Sequence, residues 1–439
     1  MSNYNPVLDS IKLSLDCQFL KLKYFCEVKD GTHDTPAYVD AKENTYPLVT
    51  SKDIDSGVVS FENAKHISEA DYLAINRRSN VEKYDVIMPM IGTIGNPAII
   101  DTDEKFSIKN VALFKINGDL IKAKYLKYLL SSEIVQKQIN LLNRGGVQSF
   151  VSLGVLGNIS ITMSDDINKI VSYLDVKASA IDELISSKER LIQLLEEKRQ
   201  SMITEAVTKG LNPNVKMKDS GVEWIGEIPE NWTIKKIKHI STFVGSGKTP
   251  KGGSEIYPES GVLFLRSMNV HYDGIRLKDI VHITPEIDEE MRSTRVKSKD
   301  VLLNITGASI GRSCIVPESL GKANVNQHVC IIRSNPRVVV PELLSKIMSS
   351  NFIMQQILMS QNGSSREGLN FTQVKNLEFP LAKDLNEQIE IANHISVETD
   401  KVNSLINMLK QQIQKLKDYR QSLIYEAVTG KIDVRDFFK

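Results

Sequence analysis

The stretch RQSMITEAVT, residues Arg199–Thr208, returns as RQSLIYEAVT at Arg420–Thr429. Eight of the ten residues are identical at a fixed offset of 221 positions, which chance does not plausibly produce. Solenoid repeats have periods of roughly 20 to 50 residues, so this period is far too long for one unit of a solenoid. The chain is therefore predicted to contain two copies of one domain, related by pseudo-two-fold symmetry.

Other matched segments occur in the same order in both halves. KYDVIMPMIGTIG from Lys83 matches SKDVLLNITGASIG from Ser298, with one inserted residue, and YLLSSEIVQKQI from Tyr128 matches KIMSSNFIMQQI from Lys346. In each half, short β-like runs broken by Gly, Asn and Asp precede or surround helical patterns. The predicted fold class is therefore α+β, with two small, mixed or β-rich domains.

The end of each half has the apolar spacing of a coiled coil. Residues 167–207 contain neither Gly nor Pro. The predicted seam alternates steps of three and four residues. Its positions are Ile181, Leu184, Lys188, Ile192, Leu195, Arg199 and Met202 in the first copy, and Val402, Leu405, Leu409, Ile413, Leu416, Arg420 and Leu423 in the second. Since Gly210 and Gly430 signal helix ends, we predict two long helices that pair as an antiparallel coiled coil.

The seam contains two arginines, Arg199 and Arg420, whose environment the pattern leaves open. One interpretation buries them against acidic groups such as Glu205 and Glu426. The other leaves them solvated at the ends of an imperfect seam.

Composition excludes several classes of protein. The chain has 439 residues, enough for roughly two to four domains. Lys and Arg total 55 against 54 Asp and Glu, which argues against unspecific coating of nucleic acid over the whole surface but permits local basic patches. The four cysteines have no metal-ligand spacing. No signal peptide or membrane span is apparent, so we expect a cytoplasmic protein.

The stretch VGSGKTPKGG, Val244 to Gly253, superficially matches a phosphate-binding loop. The position of its first required glycine is Thr242, and glycines follow where a helix should start, so a turn is the better interpretation. The first copy shares only the Thr-Pro pair, Thr35-Pro36. The isolated His33 and His328 are expected to form hydrogen bonds within loops. Because no catalytic set assembles, a binding protein with two similar domains fits better than an enzyme.

Several motifs together resemble one protein family. DSGVEWIGEIPENW, Asp219 to Trp232, resembles the junction before the second recognition domain of Type I restriction-modification specificity subunits. The two helical repeats, LNEQIEIANHI from Leu385 and DGTH at Asp30 to His33 also resemble that family. One departure is the first helix entry, DDINKIVSYL, which lacks the Glu387-Gln388 pair of the second.

The resemblance implies that successive segments of the chain have different functions. The implied segments are a first target recognition domain at 1–165, a first helical spacer at 166–210, a second target recognition domain at 211–385, and a second helical spacer with the C-terminal tail at 386–439. Each recognition domain would read one half of a bipartite site in double-stranded DNA. The helices would set the spacing between the two halves and dock two methyltransferase subunits. The expected spacer and docking residues are Ile181, Leu195, Arg199, Met202, Glu205, Leu416, Arg420, Leu423 and Glu426.

The family also implies where the chemistry is located. Methyltransferase subunits transfer a methyl group to adenine N6 from S-adenosylmethionine, and further restriction and translocase subunits use ATP and Mg²⁺. This chain would supply specificity without catalysis. It is expected to hold no cofactor or metal itself and to have no membrane partner.

Base reading requires polar side chains with hydrogen-bonding groups on exposed loops. The candidates in the first domain are Lys29, Thr32, His33, Ser51, Lys52, Thr93, Arg144 and Gln148. Those in the second domain are Ser246, Lys248, Thr249, Lys251, Arg266, Ser267, Arg312, Asn326, Gln327, Ser364 and Arg366. Lys248 suits a phosphate contact, which positions a protein on DNA without reading its sequence.

Two alternatives remain open at this stage. The chain could be the specificity subunit of a bifunctional restriction enzyme of Type IIB or IIG character, which only the neighbouring genes distinguish. It could also be a coiled-coil scaffold that does not bind DNA, which a specific gel shift with the methyltransferase partner would exclude.

Overall fold

The computed structural model of the protein describes residues 8, 13, 17–55, 57–91, 94–142, 150–250, 257–361 and 368–438. The chain divides into two compact units, formed by Met1–Lys188 with Lys410–Lys439 and by Glu189–Leu409. Each unit combines one small mixed domain with part of each of two long helices.

The first unit consists of short strands and helices that lead into a long helix. Its strands are β1 (Cys17–Lys21), β2 (Glu27–Asp30), β3 (Thr45–Val49), β4 (Ile54–Asp55), β5 (Val58–Val59), β6 (Lys65–Ser68), β7 (Val86–Pro89), β8 (Ala98–Ile99), β9 (Ser107–Ile108), β10 (Val111–Lys115) and β11 (Ser160–Ser164). Its helices are α1 (Leu22–Phe25), α2 (Glu69–Ser79), α3 (Leu120–Ser131), α4 (Glu133–Leu142), α5 (Leu153–Asn158) and the start of α6 (Ile167–Lys209).

Buried strands organise the first domain. An antiparallel sheet has the order β2-β10-β7-β8, and β3 lies between β6 and β9, parallel to β9. Strand β1 pairs with β11. Every residue of β7 and β10 is buried, which explains their continuous apolar sequences VIMP and VALF. Ile87, Phe106 and Leu113 belong to one core cluster beneath them.

The second unit has corresponding elements. Its strands are β12 (Met217–Asp219), β13 (Glu227–Pro229), β14 (Thr233–Lys236), β15 (Ser241–Ser246), β16 (Val262–Leu265), β17 (Val270–His271), β18 (Gly274–Ile275), β19 (Val281–Ile283), β20 (Arg295–Val296), β21 (Val301–Asn304), β22 (Ser313–Ile315), β23 (Ala323–Val325), β24 (Val329–Ser334) and β25 (Glu378–Leu381). Its helices are α7 (Ile237–Ile240), α8 (Pro285–Glu290), α9 (Pro341–Met348), α10 (Asn351–Met359), α11 (Phe371–Asn376) and the start of α12 (Leu385–Val428).

Strand order confirms the predicted duplication. The sheet β15-β24-β21-β22 repeats the order β2-β10-β7-β8, and β19-β16-β23 repeats β6-β3-β9. The pair β14-β25 repeats β1-β11. Strand β20 adds a further neighbour to β23 in the second copy. Both copies therefore have the same α+β fold, followed by a long helix.

One buried glutamine performs the same task in each copy. In the first copy, Gln138 Nε2 donates to the Ser160 carbonyl at 2.8 Å, and Ser160 N donates back to Gln138 Oε1 at 3.0 Å. In the second, Gln356 makes the same two bonds to Glu378 at 2.8 and 2.9 Å. The side-chain amide thus satisfies the backbone at the start of β11 and of β25, as a neighbouring strand would. Both glutamines lie in the matched helical segments, which explains part of their similarity.

The long helices bury equivalent positions. In the first unit α6 buries Ile170, Leu174, Ala178, Ile181 and Ile185. In the second unit α12 buries Ile391, Ile395, Thr399, Val402 and Ile406. Each residue of the second set follows its counterpart by the offset of 221 that relates the sequence repeats.

The predicted seam was wrong at one position in each helix. Leu184 and Leu405 are 51% and 47% exposed, whereas the adjacent Ile185 and Ile406 are 8% and 5% exposed. The seam takes a step of four residues after Ile181 and after Val402, where the prediction placed a step of three. Leucine and isoleucine are equally apolar, so adjacent apolar residues do not reveal which one packs inward.

Within the first unit the two helices are antiparallel. Asp182 contacts Arg420, and Lys188 contacts Gln412, so residue numbers rise along α6 as they fall along α12. After each helix the chain adopts positive φ, at Gly210 (+74°) and at Gly430 (+71°), as predicted for helix-terminating glycines.

The entry of α12 explains the Glu387-Gln388 pair. Glu387 Oε1 accepts a 2.9 Å hydrogen bond from the buried Trp232 indole, and Gln388 Nε2 donates to the Ala382 carbonyl at 2.8 Å. Gln388 Oε1 also accepts from Val340 N at 2.9 Å. The pair therefore anchors the second domain to its helix.

Candidate nucleic-acid interface

A glycine begins the first loop of the candidate interface in each domain. A Cβ atom on Gly31 would lie 1.8 Å from the Ile108 carbonyl oxygen, and one on Gly247 would lie 1.6 Å from that of Val325. No side chain fits at such distances, so only glycine lets this loop cross the end of β9 or β23. This close approach, besides the predicted Thr-Pro turn, is what GSGKTP shares with DGTHDTP.

A short 3-10 turn forms the next loop in each domain. In the first, Thr50 N donates to Asp53 Oδ2 at 2.8 Å and closes the turn Ser51–Asp53. In the second, Arg266 N donates to Asn269 Oδ1 at 2.9 Å and closes Ser267–Asn269. The candidate Lys52 is exposed, while Ser51 and Ser267 are partly exposed at the two turns.

Backbone contacts bring these loops of the first domain to one edge. Thr32 bridges to Lys109, and Lys109 N donates to the Val49 carbonyl at 2.9 Å, directly before the 3-10 turn. Met90 N donates to the Asn110 carbonyl at 3.2 Å. The segments that follow β2, β3, β7 and β9 therefore meet.

His33 lies at the centre of a polar cluster on this edge. Its Nδ1 lies 2.9 Å from Asn110 Oδ1 and its Nε2 lies 2.9 Å from Asp30 Oδ2. The hydrogen bond to Asn110 raises the pKa of His33, partial burial opposes this shift, and the contact with Asp30 adds to it. Arg78 Nη2 lies 2.5 Å from Asp30 Oδ1 and is largely exposed. As expected, His33 forms hydrogen bonds within a loop.

The second domain builds a corresponding chain of hydrogen bonds. Thr249 Oγ1 bonds Gln327 Oε1, and Gln327 Nε2 lies 3.0 Å from His328 Nε2. His328 Nδ1 in turn lies 2.6 Å from Thr306 Oγ1. Lys248, next to Thr249, is exposed. Four candidate or histidine positions of the sequence analysis are thus brought together.

Other candidates form hydrogen bonds or ion pairs within their own domain. Arg266 Nη2 donates to the Asp279 carbonyl at 2.7 Å. Asn326 is buried, and its Oδ1 accepts from His328 N at 3.1 Å. Lys29 lies within β2, 3.4 Å from the Glu27 carboxylate. For these residues the sequence did not predict the partners of the side chain.

Ser246 and Arg312 are partly exposed, Ser246 at the end of β15 and Arg312 just before β22. Six further candidates lie outside the described residues: Thr93, Arg144, Gln148, Lys251, Ser364 and Arg366. Described residues beside those gaps do contact the edge, since Ile91 bridges to Phe150 and Thr306 bridges to Gly368.

The seam arginines have equivalent contacts in the two units. Arg420 Nε lies 2.9 Å from Asp182 Oδ1, and Arg199 Nη1 donates to Asn403 Oδ1 at 2.5 Å. Asp182 and Asn403 are themselves related by the offset of 221. The arginines are partly buried, but the acid that Arg420 contacts is Asp182 rather than Glu205 or Glu426.

The remaining predicted spacer residues differ in exposure. Ile181 and Leu423 are buried, and Leu195, Met202, Leu416 and Glu426 are partly buried. Glu205 is exposed.

Among the described residues, no group of three or more His, Cys, Asp or Glu side chains is arranged to hold a metal ion. No helix in the described part of the chain is long and apolar enough to cross a membrane.

Comparison with known proteins shows what this chain is similar to. Residues 229–415 match the family model of the Type I restriction modification DNA specificity domain. The chain is 25% identical over 273 residues to the Escherichia coli EcoBI specificity subunit, an alignment covering 60% of this chain and 56% of that protein. It is 21% identical over 441 residues to the Methanocaldococcus jannaschii MjaVIII specificity subunit, covering 98% and 96%. Residues 229–415 thus match a Type I restriction modification DNA specificity domain, and the chain as a whole is similar to specificity subunits of type I restriction enzymes.

The fold agrees with this family. A chain solved in a study of the assembly and conformational transition of the type I R-M system superposes with a TM-score of 0.68. The match covers 96% of this chain and 100% of the other chain at 15% identity, so it concerns the fold alone.

Sequence reasoning missed some polar residues of the candidate interface. Arg78, Asn110 and Thr306 were not candidates, although each contacts a candidate residue or its immediate partner. Asn110 and His328 occupy matching positions, because each accepts a backbone bond from the residue after β7 or β21. Aligning the two copies through these strands is the signal that would have found Asn110.

Proposed function

We propose that each globular domain reads one half of a bipartite site in double-stranded DNA through the loop edge described above. The observation that supports this most is the repetition of the edge: Gly31 and Gly247 begin equivalent loops, and equivalent 3-10 turns adjoin them. Each edge carries different polar side chains on the same backbone. This is what two readers of two different half-sites require.

We assign the target recognition domains to residues 1–165 and 211–385, and the helical spacers to 166–210 and 386–439. The exposed Lys52 and Lys248 are suited to phosphate contacts. The amide of Gln327 and the imidazoles of His33 and His328 are suited to base edges. The helices set the spacing between the half-sites.

The helices also dock two methyltransferase subunits. On α6, Val176 and Leu184 are 56% and 51% exposed, and on α12 the equivalent Val397 and Leu405 are 54% and 47% exposed. Apolar residues exposed at the same positions of both copies form two similar surfaces outside the seam. Two copies of one partner fit these surfaces better than one partner does.

Catalysis belongs to partner subunits in this proposal. The methyltransferase subunits bind S-adenosylmethionine, and restriction and translocase subunits bind ATP and Mg²⁺. The chain itself supplies sequence recognition.

A gel-shift experiment tests DNA reading. The chain is combined with its methyltransferase subunits and titrated with a duplex carrying the site and with a scrambled duplex. We expect the specific duplex to bind more tightly by a factor on the order of 10³ or more. Equal affinity for both duplexes would contradict the proposal and favour a scaffold that does not read DNA. The relatives compared above are type I subunits, which does not favour the Type IIB or IIG alternative.

A further inference from the structure

A polar cavity of about 160 Å³ lies in the second unit, where the second recognition domain meets the long helices. The helices contribute Arg199 and Asp400, helix α9 contributes Lys346 and Ser345, and the β17-β18 hairpin contributes Tyr272. The cavity is large enough for several water-sized groups of about 30 Å³ each. It lies outside the set of loop residues assigned to base reading.

The side-chain ammonium of Lys346 has no hydrogen-bond or ion-pair partner among the described residues, although the residue is partly buried. Desolvation lowers the pKa of its ammonium, Asp400 opposes this shift, and Arg199 adds to it. Two cations therefore share the cavity with one nearby carboxylate. The second acid there, Asp273, is already bound to Arg276 at 2.9 Å.

The equivalent place in the first unit is neutralised internally. There Arg420 contacts the carboxylate of Asp182 at 2.9 Å, whereas among the described residues Arg199 bonds the uncharged amide of Asn403 and no carboxylate. The position of Lys346 is occupied by Tyr128, whose hydroxyl donates to Asp175 at 2.8 Å. The first copy thus pairs its seam arginine with a carboxylate, whereas the second copy places Arg199 and Lys346 together with Asp400 as the one nearby carboxylate not already bound to another cation.

Neutral donors complete the cavity. The Tyr272 hydroxyl lies 3.5 Å from the Gly311 carbonyl, which is long for an O–H···O bond, so it is able to donate to a better acceptor. Gln200 Nε2 donates a 2.7 Å hydrogen bond to the Ser349 carbonyl, which fixes the position of this side chain in the wall of the cavity. A half-buried cation without a partner is costly, and a bound anion offsets that cost.

We propose that this cavity binds a phosphate-type oxyanion, held by the Arg199 guanidinium and the Lys346 ammonium. A tetrahedral oxyanion accepts several hydrogen bonds at once, and arginine and lysine are the side chains that bind phosphate. The source is either a phosphodiester of bound DNA or a free phosphate. The inference does not depend on the proposed function, because inorganic phosphate alone tests it.

Thermal unfolding of the full chain tests the site. Unfolding is followed in increasing inorganic phosphate, with chloride adjusted to constant ionic strength. For the wild type we expect a melting temperature that rises and saturates, as for a ligand that binds the folded state. Lys346→Gln and Arg199→Gln should each weaken the fitted phosphate affinity at least tenfold. The matched control is Lys127→Gln, a partly buried lysine of the first unit, which should retain wild-type affinity.

The shape of the curve of melting temperature against phosphate concentration distinguishes specific binding from general salt effects. Phosphate also stabilises proteins by exclusion from their surface, and this contribution grows without saturation and is equal in all variants. A rise of that kind alone in the wild type would overturn the proposal. Lys346→Gln is not expected to lower the melting temperature in chloride, because it removes a partly buried cation that makes no hydrogen bond or ion pair with the described residues. A clear loss there would indicate a structural ion contact instead and would also contradict the site.

A second experiment, which measures DNA binding, identifies the source of the phosphate. The salt dependence of DNA affinity is measured for the chain with its methyltransferase subunits. If a phosphodiester occupies the cavity, Lys346→Gln lowers the slope of log affinity against log salt by about one and weakens all sequences alike. If the slope is unchanged while inorganic phosphate still binds wild type selectively, the site takes free phosphate. Either result supports the oxyanion site.

Discussion

At the scale of single residues, the interface depends on positions with no freedom of substitution. Gly31 and Gly247 leave no room for a Cβ atom beside a backbone carbonyl. The polar residues around them, such as His33, are held in place by hydrogen bonds to neighbouring side chains while they remain exposed. The loops are therefore expected to be shaped in advance, which limits the ordering cost of binding.

We predict that Gly31→Ala lowers the free energy of unfolding by more than about 2 kcal/mol, because a backbone strand end has to shift. Gly154→Ala is the matched control in the same unit, since no atom lies within 4 Å of its added Cβ. It lies in helix α5 and should be neutral or stabilising by up to about 1 kcal/mol. Chemical denaturation of both variants measures this. Equal losses would mean that the close approach is not required.

The titration of His33 predicts a pH dependence. Its pKa is raised in the folded chain from the ordinary value of 6.5. Protonation is therefore favoured by folding, so the stabilisation is complete below about pH 6.5 and is lost as pH rises through the folded pKa. Wild type should exceed His33→Gln in melting temperature by more at pH 5.5 than at pH 8.5. A difference that grows with pH would show that the neutral imidazole is the stabilised form.

At the scale of elements, the long helices carry two apolar stripes with different roles. The inner stripe includes Ile185 and Ile406, and the outer positions include Leu184 and Leu405. Apolar residues at adjacent positions thus differ: one packs in the seam, and its neighbour is exposed and available to a partner.

This distinction makes a paired prediction. Ile185→Ala should cost about 2–5 kcal/mol of unfolding free energy, because it removes buried methylenes. Leu184→Ala should change the stability of the free chain by no more than about 0.5 kcal/mol but weaken copurification of the methyltransferase subunits. Denaturation and pull-down from a coexpressed system measure the two effects. A stability loss at Leu184 as large as that at Ile185 would restore the seam first predicted from sequence.

At the scale of the whole molecule, each domain is closed by its own strands. The pairs β1-β11 and β14-β25 join an early strand of each globular domain to its last strand, directly before the long helix begins; in the second domain the β12-β13 hairpin precedes β14. The chain therefore enters and leaves each globular domain through one pair of adjacent strands.

We predict that exchanging residues 17–164 for the first domain of another family member changes one DNA half-site and leaves the other intact. The exchange keeps β1 and β11 together, so no strand pair is divided. Sequencing of methylated adenines in a host carrying the system measures the outcome. Alteration of both half-sites would contradict the assignment of one half-site to one domain.

The sequence by itself determined the duplication, the α+β class, the two long helices and the resemblance to the specificity subunits. These are visible because an identical stretch recurs at one offset and because helical periodicity is a local property. The glycine after each long helix likewise signals the helix end in the sequence itself. The two glutamines occur at matching positions of the repeated segments.

Only the tertiary structure decided which polar residues reach the surface and which partners they have. Arg266 and Asn326 have the right chemistry for DNA, yet they bond their own domain. Arg420 contacts Asp182 rather than the acids near it in sequence, because an antiparallel helix pair brings distant residues together. Strand register and helix direction set such contacts, and neither is encoded in the local pattern of residues.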